Sequence, residues 1–337
     1  MKAYLYQPME DSKVKCNLCH HRCVIPQGKR GICAVRENQD GELVSLVYAQ
    51  AIAASSDPIE KKPLFHVLPG SRSFSIATVG CNFHCRFCQN SNIAQMPRDL
   101  DGKIMGRYFP PDQVVAQAKQ TGCKTIAYTY TEPTIYFEYA YDTAKLAAQE
   151  GLRNVFVTNG YETPEAIEKI APYLHAANVD LKAFSPGFYK EMCGAKLENV
   201  LETLKCMHSA GIFLEITTLI IPGLNDDPAQ LEELAGFIAQ SLSPQTPWHV
   251  SRFHPTYNLI DRSATPPATL FQAHEIGKKA GLHYVYTGNI PGQGGENTYC
   301  HHCQTLLIER MGYTIQQNVL KNGTCPNCQT PAHGLWK

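Results

Sequence analysis

The sequence has no excess of charge of either sign. Its 337 residues contain 30 Lys and Arg against 30 Asp and Glu, so the formal net charge is zero. A balanced chain has no overall basic field of the kind that attracts nucleic acid or an anionic membrane surface. Nucleic acid is therefore not an expected partner, and any partner has to be recognised by a local site.

The sequence also lacks a long hydrophobic run. Apolar residues make up 44% of the chain, yet no stretch approaches the length that spans a bilayer, roughly 18 residues. The first residues, MKAYLYQPMEDSKVK, contain no apolar segment typical of a secretory signal peptide. These absences predict a cytoplasmic protein with no membrane contact. The chain is long enough for one large core and small attached modules.

Cysteine, in contrast, is abundant and clustered. The chain has 14 cysteines, and 11 of them lie in three closely spaced groups, an arrangement typical of metal ligands. In a reducing compartment disulfides are not expected. The groups are Cys16, Cys19, Cys23 and Cys33; Cys81, Cys85 and Cys88; and Cys300, Cys303, Cys325 and Cys328.

Between residues 74 and 289, short β-branched or aromatic runs alternate with segments of helical periodicity. The runs lie at 74–80, 125–131, 154–160, 178–184, 213–223, 248–255 and 283–289, and two of the helical segments lie at 163–177 and 196–211. This alternation predicts an α/β fold, a full or partial TIM-like (β/α) barrel with small N- and C-terminal cysteine-bound metal modules. The expected division is a cysteine-rich module at 1–70, a barrel at 71–290 and a zinc-ribbon or rubredoxin-like module at 291–337.

The middle group has the spacing C-x3-C-x2-C and follows the first predicted strand, where a barrel places its active site. Three thiolates hold three corners of a four-iron, four-sulfur (4Fe-4S) cluster and leave the fourth iron open to another ligand. An incomplete ligand set is typical of a catalytic rather than a structural metal site. We therefore predict a catalytic cluster at Cys81, Cys85 and Cys88.

This motif resembles that of the radical S-adenosylmethionine (SAM) superfamily. The resemblance implies that SAM binds the open iron and is reductively cleaved to a 5'-deoxyadenosyl radical, with electrons from a donor such as flavodoxin or ferredoxin. Residues 70–290 look like pyruvate formate-lyase activating enzyme. Nearly the whole chain resembles the radical SAM enzyme of the AmmeMemoRadiSam system, in CNLCHHRC, GKRGICAVREN, DPIEKKPLFHVLPG, YTYTEPTIYFEY, VTNGY and VDLKAF.

The resemblance also implies roles for single residues near SAM. Phe87 occupies the position of an aromatic beside adenine, and His254 that of a histidine near the ribose. Glu132 matches an acidic residue that binds the SAM amino group, although Tyr130 and Thr131 replace the usual glycines. A carboxylate at a helix N-terminus is the alternative for Glu132, and a structural histidine is the alternative for His254.

Four further residues at strand ends resemble positions that contact SAM or a nearby cation. They are Thr158, Asn159, Asp180 and Lys182. Asp180 and Lys182 share one face of their strand, so both are expected in the barrel mouth. An internal ion pair is the alternative. Thr217 stands where the activating enzymes have a SAM-binding arginine, so the carboxylate is expected to be recognised differently.

The two outer groups offer four thiolates each. The N-terminal spacing C-x2-C-x3-C-x9-C suits zinc or a second iron-sulfur cluster, with free thiols as the alternative. The C-terminal spacing C-x2-C-x21-C-x2-C indicates two metal knuckles joined by a hairpin turning at Gly312, for zinc or iron. A glycine-rich hinge, GQGGEN, precedes this module. Cys193 is either a small buried residue or a hydrogen-atom donor at the active end.

Three functions follow from these patterns. The first is a SAM-cleaving enzyme of the AmmeMemoRadiSam type that abstracts hydrogen from a small molecule or peptide, with protein partners of its own system. The second is an activase that makes a glycyl radical on a partner protein. The third is a zinc-ribbon adaptor without catalysis.

Overall fold

The computed structural model describes residues 1–290 and 294–337, so the predicted GQGGEN hinge lies partly outside the described residues. The strands are β1 (Tyr6–Pro8), β2 (Val14–Cys16), β3 (Val24–Ile25), β4 (Arg36–Gln39), β5 (Glu42–Ser45), β6 (Gln50–Ala51), β7 (Ala53–Pro58), β8 (Arg72–Ala77), β9 (Arg107–Tyr108), β10 (Thr125–Tyr128), β11 (Arg153–Thr158), β12 (Ala176–Asp180), β13 (Phe213–Ile220), β14 (Trp248–Arg252), β15 (Val285–Gly288), β16 (Thr298–Tyr299), β17 (Leu306–Met311) and β18 (Thr314–Asn318). The α-helices are α1 (Ser91–Ala94), α2 (Met96–Asp99), α3 (Pro111–Gln120), α4 (Phe137–Gln149), α5 (Pro164–Ile170), α6 (Pro186–Phe188), α7 (Leu197–Ser209), α8 (Pro228–Phe237) and α9 (Pro267–Lys279). Shorter 3-10 segments lie at Ile59–Lys61 and Pro133–Tyr136, and π-helical turns at Tyr189–Cys193 and Ile238–Leu242.

The central element is an eight-stranded sheet in the order β15-β14-β13-β12-β11-β10-β8-β7. Neighbours from β8 to β15 are parallel, and β7 runs antiparallel to β8 at one edge. All seven predicted strands are confirmed as the parallel strands, with helices in every crossover between them. Within the described residues β7 and β15 are the two edges, so the fold is a partial (β/α) barrel.

Local sequence explains where several helices begin and end. Helices α3, α5, α8 and α9 start on proline, whose fixed φ and missing N–H suit the first helical position. The Thr163 side chain accepts a hydrogen bond from Ala166 N at the start of α5. The predicted helix 163–177 is shorter in the structure and ends at Ile170. Ala171 still has helical dihedrals, but Pro172 has no N–H with which to continue the hydrogen-bond pattern.

Residues 59–68, which we call the floor segment, cross the N-terminal end of the barrel. Ile59, Leu64 and Val67 pack against apolar residues from the starts of β10, β11, β12 and β13. The backbone N–H groups of Phe65 and His66 donate to the buried Glu215 carboxylate at 3.0 and 2.8 Å. The floor segment closes this end, so the barrel opens to ligands at the C-terminal ends of its strands.

The N-terminal residues share a hydrophobic core with the barrel. The link between them is a buried ion pair, in which Arg36 on β4 donates to both carboxylate oxygens of Glu138 on α4 at 2.7 and 2.8 Å. Strand β7 lies before residue 70 and yet belongs to the barrel sheet. The three-part division of the chain stays a prediction.

The C-terminal residues form a three-stranded antiparallel sheet, β16-β17-β18, with its own small core. The predicted hairpin turning at Gly312 is confirmed by the pairing of β17 with β18. Arg310 donates to Phe65 O at 2.8 Å, and Leu335 N donates to His66 O, so this sheet is attached to the floor segment. No helix in the described residues is long and apolar enough to cross a membrane.

Candidate active site and metal centres

The predicted cluster ligands lie on the loop at residues 78–90, which follows β8. Cys81, Cys85 and Cys88 line one cleft at the C-terminal ends of the parallel strands, with about 1340 Å³ of open space including its mouth. Two backbone hydrogen bonds hold the loop: His84 N donates to Cys193 O and Arg86 N donates to Met192 O, both at 3.0 Å. The π-helical turn that ends at Cys193 thus fixes the loop in place.

The three thiols are spaced more widely than the ligands of a single ion. Among described residues, the only group of three or more ligand atoms all within 4.8 Å of one another lies at the C-terminus. Burial and the nearby Glu132 raise the pKa of Cys81, and burial raises that of Cys88 to about 11. The pKa of Cys85 is lowered by a hydrogen bond from Cys193. Buried thiols of this kind become thiolates when a metal replaces their protons.

Glu132 stands opposite the cysteines, just after β10. Its carboxylate accepts hydrogen bonds from Asn159 N at 2.8 Å, from Thr158 Oγ1 at 2.9 Å and from Thr134 N at 3.0 Å. The last bond caps the 3-10 segment that begins at Pro133. Glu132 therefore also has the alternative role, that of a carboxylate at a helix N-terminus. Asn159 Nδ2 in turn donates to Asn82 Oδ1 at 2.7 Å, which ties this wall to the cysteine loop.

Glu162 is a buried acid that our sequence reasoning missed. Thr158 Oγ1 lies 2.8 Å from Glu162 Oε1 and 2.9 Å from Glu132 Oε1. A hydroxyl has one hydrogen to donate, so one of the two carboxyls has to carry a proton. Burial and the neighbouring Glu132 raise the pKa of Glu162 to about 8, which identifies it as the protonated partner. The signal in the sequence is an acid four residues after Thr158.

We expect Glu162→Gln to change how stability depends on pH. Wild-type Glu162 keeps its proton when folded up to about pH 8, whereas the unfolded chain releases it near pH 4.5. Folded wild type therefore loses stability as pH rises through this window, and glutamine, which mimics the neutral acid, does not. Chemical denaturation gives the free energy of unfolding at pH 5 and at pH 8. The free energy of unfolding of the variant, relative to that of wild type, should be higher at pH 8 than at pH 5. An equal difference at both pH values would contradict a protonated Glu162.

Asp180 and Lys182 are brought together at the end of β12. Both line the cleft, and Lys182 Nζ lies 2.8 Å from Asp180 Oδ2. Burial, which lowers the pKa of Lys182, is outweighed by Asp180 and the nearby thiols, so its pKa is raised. Lys182 Nζ also lies 6.0 Å from the ring centre of Phe87, which is buried in the cleft wall. The ion pair predicted as an alternative therefore exists, and it lies within the cleft.

The structure does not bring every predicted residue to the cleft. His254 is exposed, two residues beyond β14, and Ser251 lines the cleft from that strand instead. Asn178 and Thr217, on β12 and β13, line it without having been predicted as ligands. Asn178 lies two residues before Asp180 on the same strand face, which is the signal that could have identified it.

A second polar group lines the cleft near the floor segment. Lys62 is buried and donates to Asp57 Oδ2 at 2.9 Å and to Tyr130 Oη at 3.2 Å. Lys61 Nζ lies 3.0 Å from the other oxygen of Asp57. Tyr130 adopts φ 64°, a left-handed conformation that is rare for a bulky residue and is often found at functional sites. The group contains two lysine ammonium groups and one carboxylate, so it has one excess positive charge.

The C-terminal cysteines form a closed tetrahedral set. The sulfurs of Cys300 and Cys328 are 3.6 Å apart, and those of Cys303 and Cys325 are 3.7 Å apart. A tetrahedral ion with metal–sulfur bonds of about 2.3 Å requires a separation of about 3.8 Å. This group is suited to bind one metal ion, and its geometry is shared by zinc and iron.

We expect Cys325→Ala to remove this ion and loosen the residues from Thr298 onward, because a small metal module is held together mainly by its metal. The variant should lose about one metal ion per chain, and limited proteolysis should cut its C-terminal sheet faster than in wild type. Cys206→Ala, on the partly exposed face of α7, is the matched control. An unchanged cleavage pattern in Cys325→Ala would contradict a stabilising metal.

Comparison with known proteins defines the class of this enzyme. The family model described as the radical SAM superfamily matches residues 75–238. An uncharacterized protein of Methanocaldococcus jannaschii is 44% identical over 92% of this chain and 91% of its own. The chain belongs to the radical SAM superfamily, and it is a SAM-cleaving radical enzyme. The adaptor without catalysis is therefore excluded.

Two further similarities are more distant. Another protein of M. jannaschii, with the provisional name of a glycyl-radical enzyme activating enzyme, is 22% identical over 62% of this chain and 78% of its own. The crystal structure of a radical SAM methyltransferase from Sphaerobacter thermophilus is 16% identical, with a TM-score of 0.51 over 65% of this chain and 66% of that one. The second similarity supports the fold alone.

The cleft suits the cofactors that the superfamily implies. Three of its buried polar atoms have no partner in the structure: Asn159 Oδ1, just after β11, Asn178 Oδ1, within β12, and Thr217 Oγ1, within β13. Unsatisfied buried polar atoms are costly, so they indicate a polar ligand. The cysteines would hold a 4Fe-4S cluster, and this wall would face SAM. When bound, the two supply a one-electron cleavage that yields a 5'-deoxyadenosyl radical.

If SAM binds here, residues of this chain would position it. Burial raises the pKa of the Glu132 carboxyl, and the hydrogen bonds that it accepts oppose this effect. Its oxygens would accept hydrogen bonds from an ammonium group. Thr217, in register with Asp180 on the neighbouring strand, offers a hydroxyl where the activating enzymes have an arginine. The floor segment covers the N-terminal end of the barrel, and the cleft opens at the C-terminal ends of the strands.

Proposed function

We propose that the protein is a radical SAM enzyme of the AmmeMemoRadiSam type, which abstracts hydrogen from a small molecule or peptide. The observation that supports the SAM-cleaving chemistry is the cleft that gathers the three cysteines, Glu132, the Asp180–Lys182 pair and Lys61–Lys62. Similarity to the family's N- and C-terminal motifs, over nearly the whole chain, supports the type.

The lysine pair favours a substrate with an acidic group. Lys61 has a side chain 43% exposed, and Lys62 is held against Asp57 and Tyr130. Two ammonium groups share one carboxylate, so the excess positive charge faces the cleft and is available to a carboxylate or phosphate. Tyr313, from the turn between β17 and β18, lines the same cleft and supplies an aromatic surface.

A second candidate function is activation of a glycyl-radical enzyme. The named relative from M. jannaschii supports it, at 22% identity. The two candidates differ in substrate size, because a glycyl radical is made on a folded partner protein. The open cleft does not discriminate between them.

One experiment separates the candidates. The reduced enzyme is incubated anaerobically with SAM and either the small-molecule filtrate or the protein fraction of an extract from its own source, and 5'-deoxyadenosine is measured. Stimulation by the filtrate, with mass spectrometry showing a modified small molecule or peptide, is expected. Stimulation only by the protein fraction, with a glycyl-radical signal in electron paramagnetic resonance (EPR), would favour the activase.

We expect Asp180→Asn to weaken SAM binding by about tenfold without unfolding the protein, because the pair lies at the barrel mouth and Lys182 loses its neutralising charge. Equilibrium binding of SAM to the reconstituted protein measures this effect. Asp261→Asn, at an exposed position after β14, is the control for a charge change of the same kind. If SAM binds both variants as it binds wild type, the Asp180–Lys182 pair has only a structural role.

A further inference from the structure

The four N-terminal cysteines line one cavity, separate from the cleft. These cysteines are Cys16, Cys19, Cys23 and Cys33. The cavity is small, with a water-accessible volume of about 20 Å³, and apolar side chains such as Leu18, Ile25 and Ile135 surround the sulfurs. Cys16 N donates to Cys23 O at 2.9 Å, which brings the last residue of β2 next to the residue that precedes β3, its paired strand. The chain thus gathers all four thiols around one space.

The spacing of these sulfurs differs from that of the C-terminal group. Within residues 1–290 and 294–337, no three of them lie all within 4.8 Å of one another, whereas sulfurs of the C-terminal group approach to 3.6 and 3.7 Å. A single tetrahedral ion requires about 3.8 Å between its thiolates. A cubic cluster separates its thiolates more widely, because each one binds a different iron. The N-terminal group shares this wide spacing with Cys81, Cys85 and Cys88.

Arg36 supplies a second and independent observation. It lines the cavity with 2% exposure, and its two Nη atoms are bound to Glu138. Its Nε–H has no hydrogen-bond partner in the structure. An unsatisfied buried N–H is costly and indicates an acceptor that belongs there. The sulfides and thiolates of a cluster are such acceptors, and hydrogen bonds to them tune its potential.

The cavity also shares a wall with the active-site cleft. His21 lines the cavity, and its Nε2 lies 2.9 Å from Asn82 O, next to Cys81. Thr134 lines the cavity too, and its hydroxyl donates to Glu132 in the cleft. A single layer of residues therefore separates the two sets of thiols.

We propose that Cys16, Cys19, Cys23 and Cys33 hold a second 4Fe-4S cluster, which passes electrons to the cluster of the cleft. One electron enters from an external one-electron protein donor such as a flavodoxin, and the same electron leaves to the catalytic cluster. No bond forms or breaks, and no proton is transferred. The cluster itself rests only on the N-terminal geometry, whereas the relay also rests on the catalytic site described above.

Acid-labile sulfide tests the cluster directly, since a single zinc or iron ion contains none. Three anaerobically reconstituted proteins are compared: wild type, a variant with Cys16 and Cys33 replaced by serine, and a variant with Cys81, Cys85 and Cys88 replaced by alanine. We expect about eight sulfides per chain in wild type and about four in each variant. The alanine variant is decisive even if the serine variant fails to fold, because its N-terminal site is intact.

Two outcomes would overturn the proposal. Sulfide near zero in the alanine variant, with about two zinc ions per chain, would show that the N-terminal site binds zinc. Near-zero sulfide with about one metal ion per chain would show free N-terminal thiols. The difference in sulfide between wild type and the alanine variant reports the catalytic cluster, whereas the sulfide that remains in the alanine variant reports the N-terminal one. Failure of the two sites is therefore distinguishable.

The relay is tested by reduction kinetics rather than by turnover. Stopped-flow absorption follows reduction of the clusters by reduced flavodoxin and by dithionite. The serine variant should be reduced at least about tenfold more slowly than wild type by flavodoxin, because its entry point is lost. Dithionite, which is small enough to enter the cleft, should reduce the remaining cluster at a similar rate in both. Equal rates with flavodoxin would contradict a relay.

Discussion

Replacing Cys85 by alanine is expected to abolish reductive cleavage of SAM. Each of the three thiolates would hold a different iron of the catalytic cluster, so loss of one would leave the cluster without a stable ligand set. We expect at least about a thousandfold loss of 5'-deoxyadenosine formation, measured anaerobically with excess reductant. The metal of the C-terminal site should remain, because its ligands are separate.

The control for this prediction is Cys193→Ala. Cys193 is a neighbour of Cys85 and lowers the pKa of its thiol, but its backbone carbonyl, which holds the loop, is unaffected by the change of side chain. The variant should keep its cluster and most of its cleavage activity. If Cys85→Ala retained the wild-type rate, another group of cysteines would have to hold the catalytic cluster.

The second large effect concerns stability. Glu138→Ala should destabilise the protein by roughly 3–5 kcal/mol, because it leaves the buried Arg36 charge without its partner. Both side chains are almost fully buried, at 2% and 0% exposure, and the pair joins β4 to α4. Chemical denaturation measures the change, and the N-terminal residues are expected to become more sensitive to protease.

A surface pair provides the comparison. Arg30 and Glu37 are 2.9 Å apart and partly exposed, so Glu37→Ala should cost at most about 1 kcal/mol. Equal effects of Glu37→Ala and Glu138→Ala would show that Glu138 does not hold the N-terminal residues on the barrel.

Much of the barrel is encoded locally and could be predicted. Each parallel strand is a short β-branched or aromatic run, and each crossover has helical periodicity, so all seven strands were found within a few residues. The predicted end of α5 was wrong, because the apolar pattern of the sequence continues past Pro172 although the helix ends at Ile170. The floor segment could not be predicted, since its role depends on the barrel opening it fills.

The site could be predicted for residues whose spacing in the sequence indicates their chemical role. The cysteines and the Asp180–Lys182 pair were recognised from motifs and strand alternation, and the structure places them in one cleft. Glu162 and Lys62 were not, because their roles come from contacts with Thr158 and Asp57 across the fold. The prediction for His254 stays a prediction, with the side chain exposed outside the described cleft lining.

The most direct test of the central claim is the EPR spectrum of the reduced protein before and after addition of SAM. The three cleft cysteines would leave one iron of a bound cluster open, so SAM should change the spectrum of that cluster in wild type. The change should be absent in the variant that has alanine at Cys81, Cys85 and Cys88. A wild-type spectrum that SAM leaves unaltered, or the same change in the alanine variant, would contradict a SAM-binding cluster in this cleft.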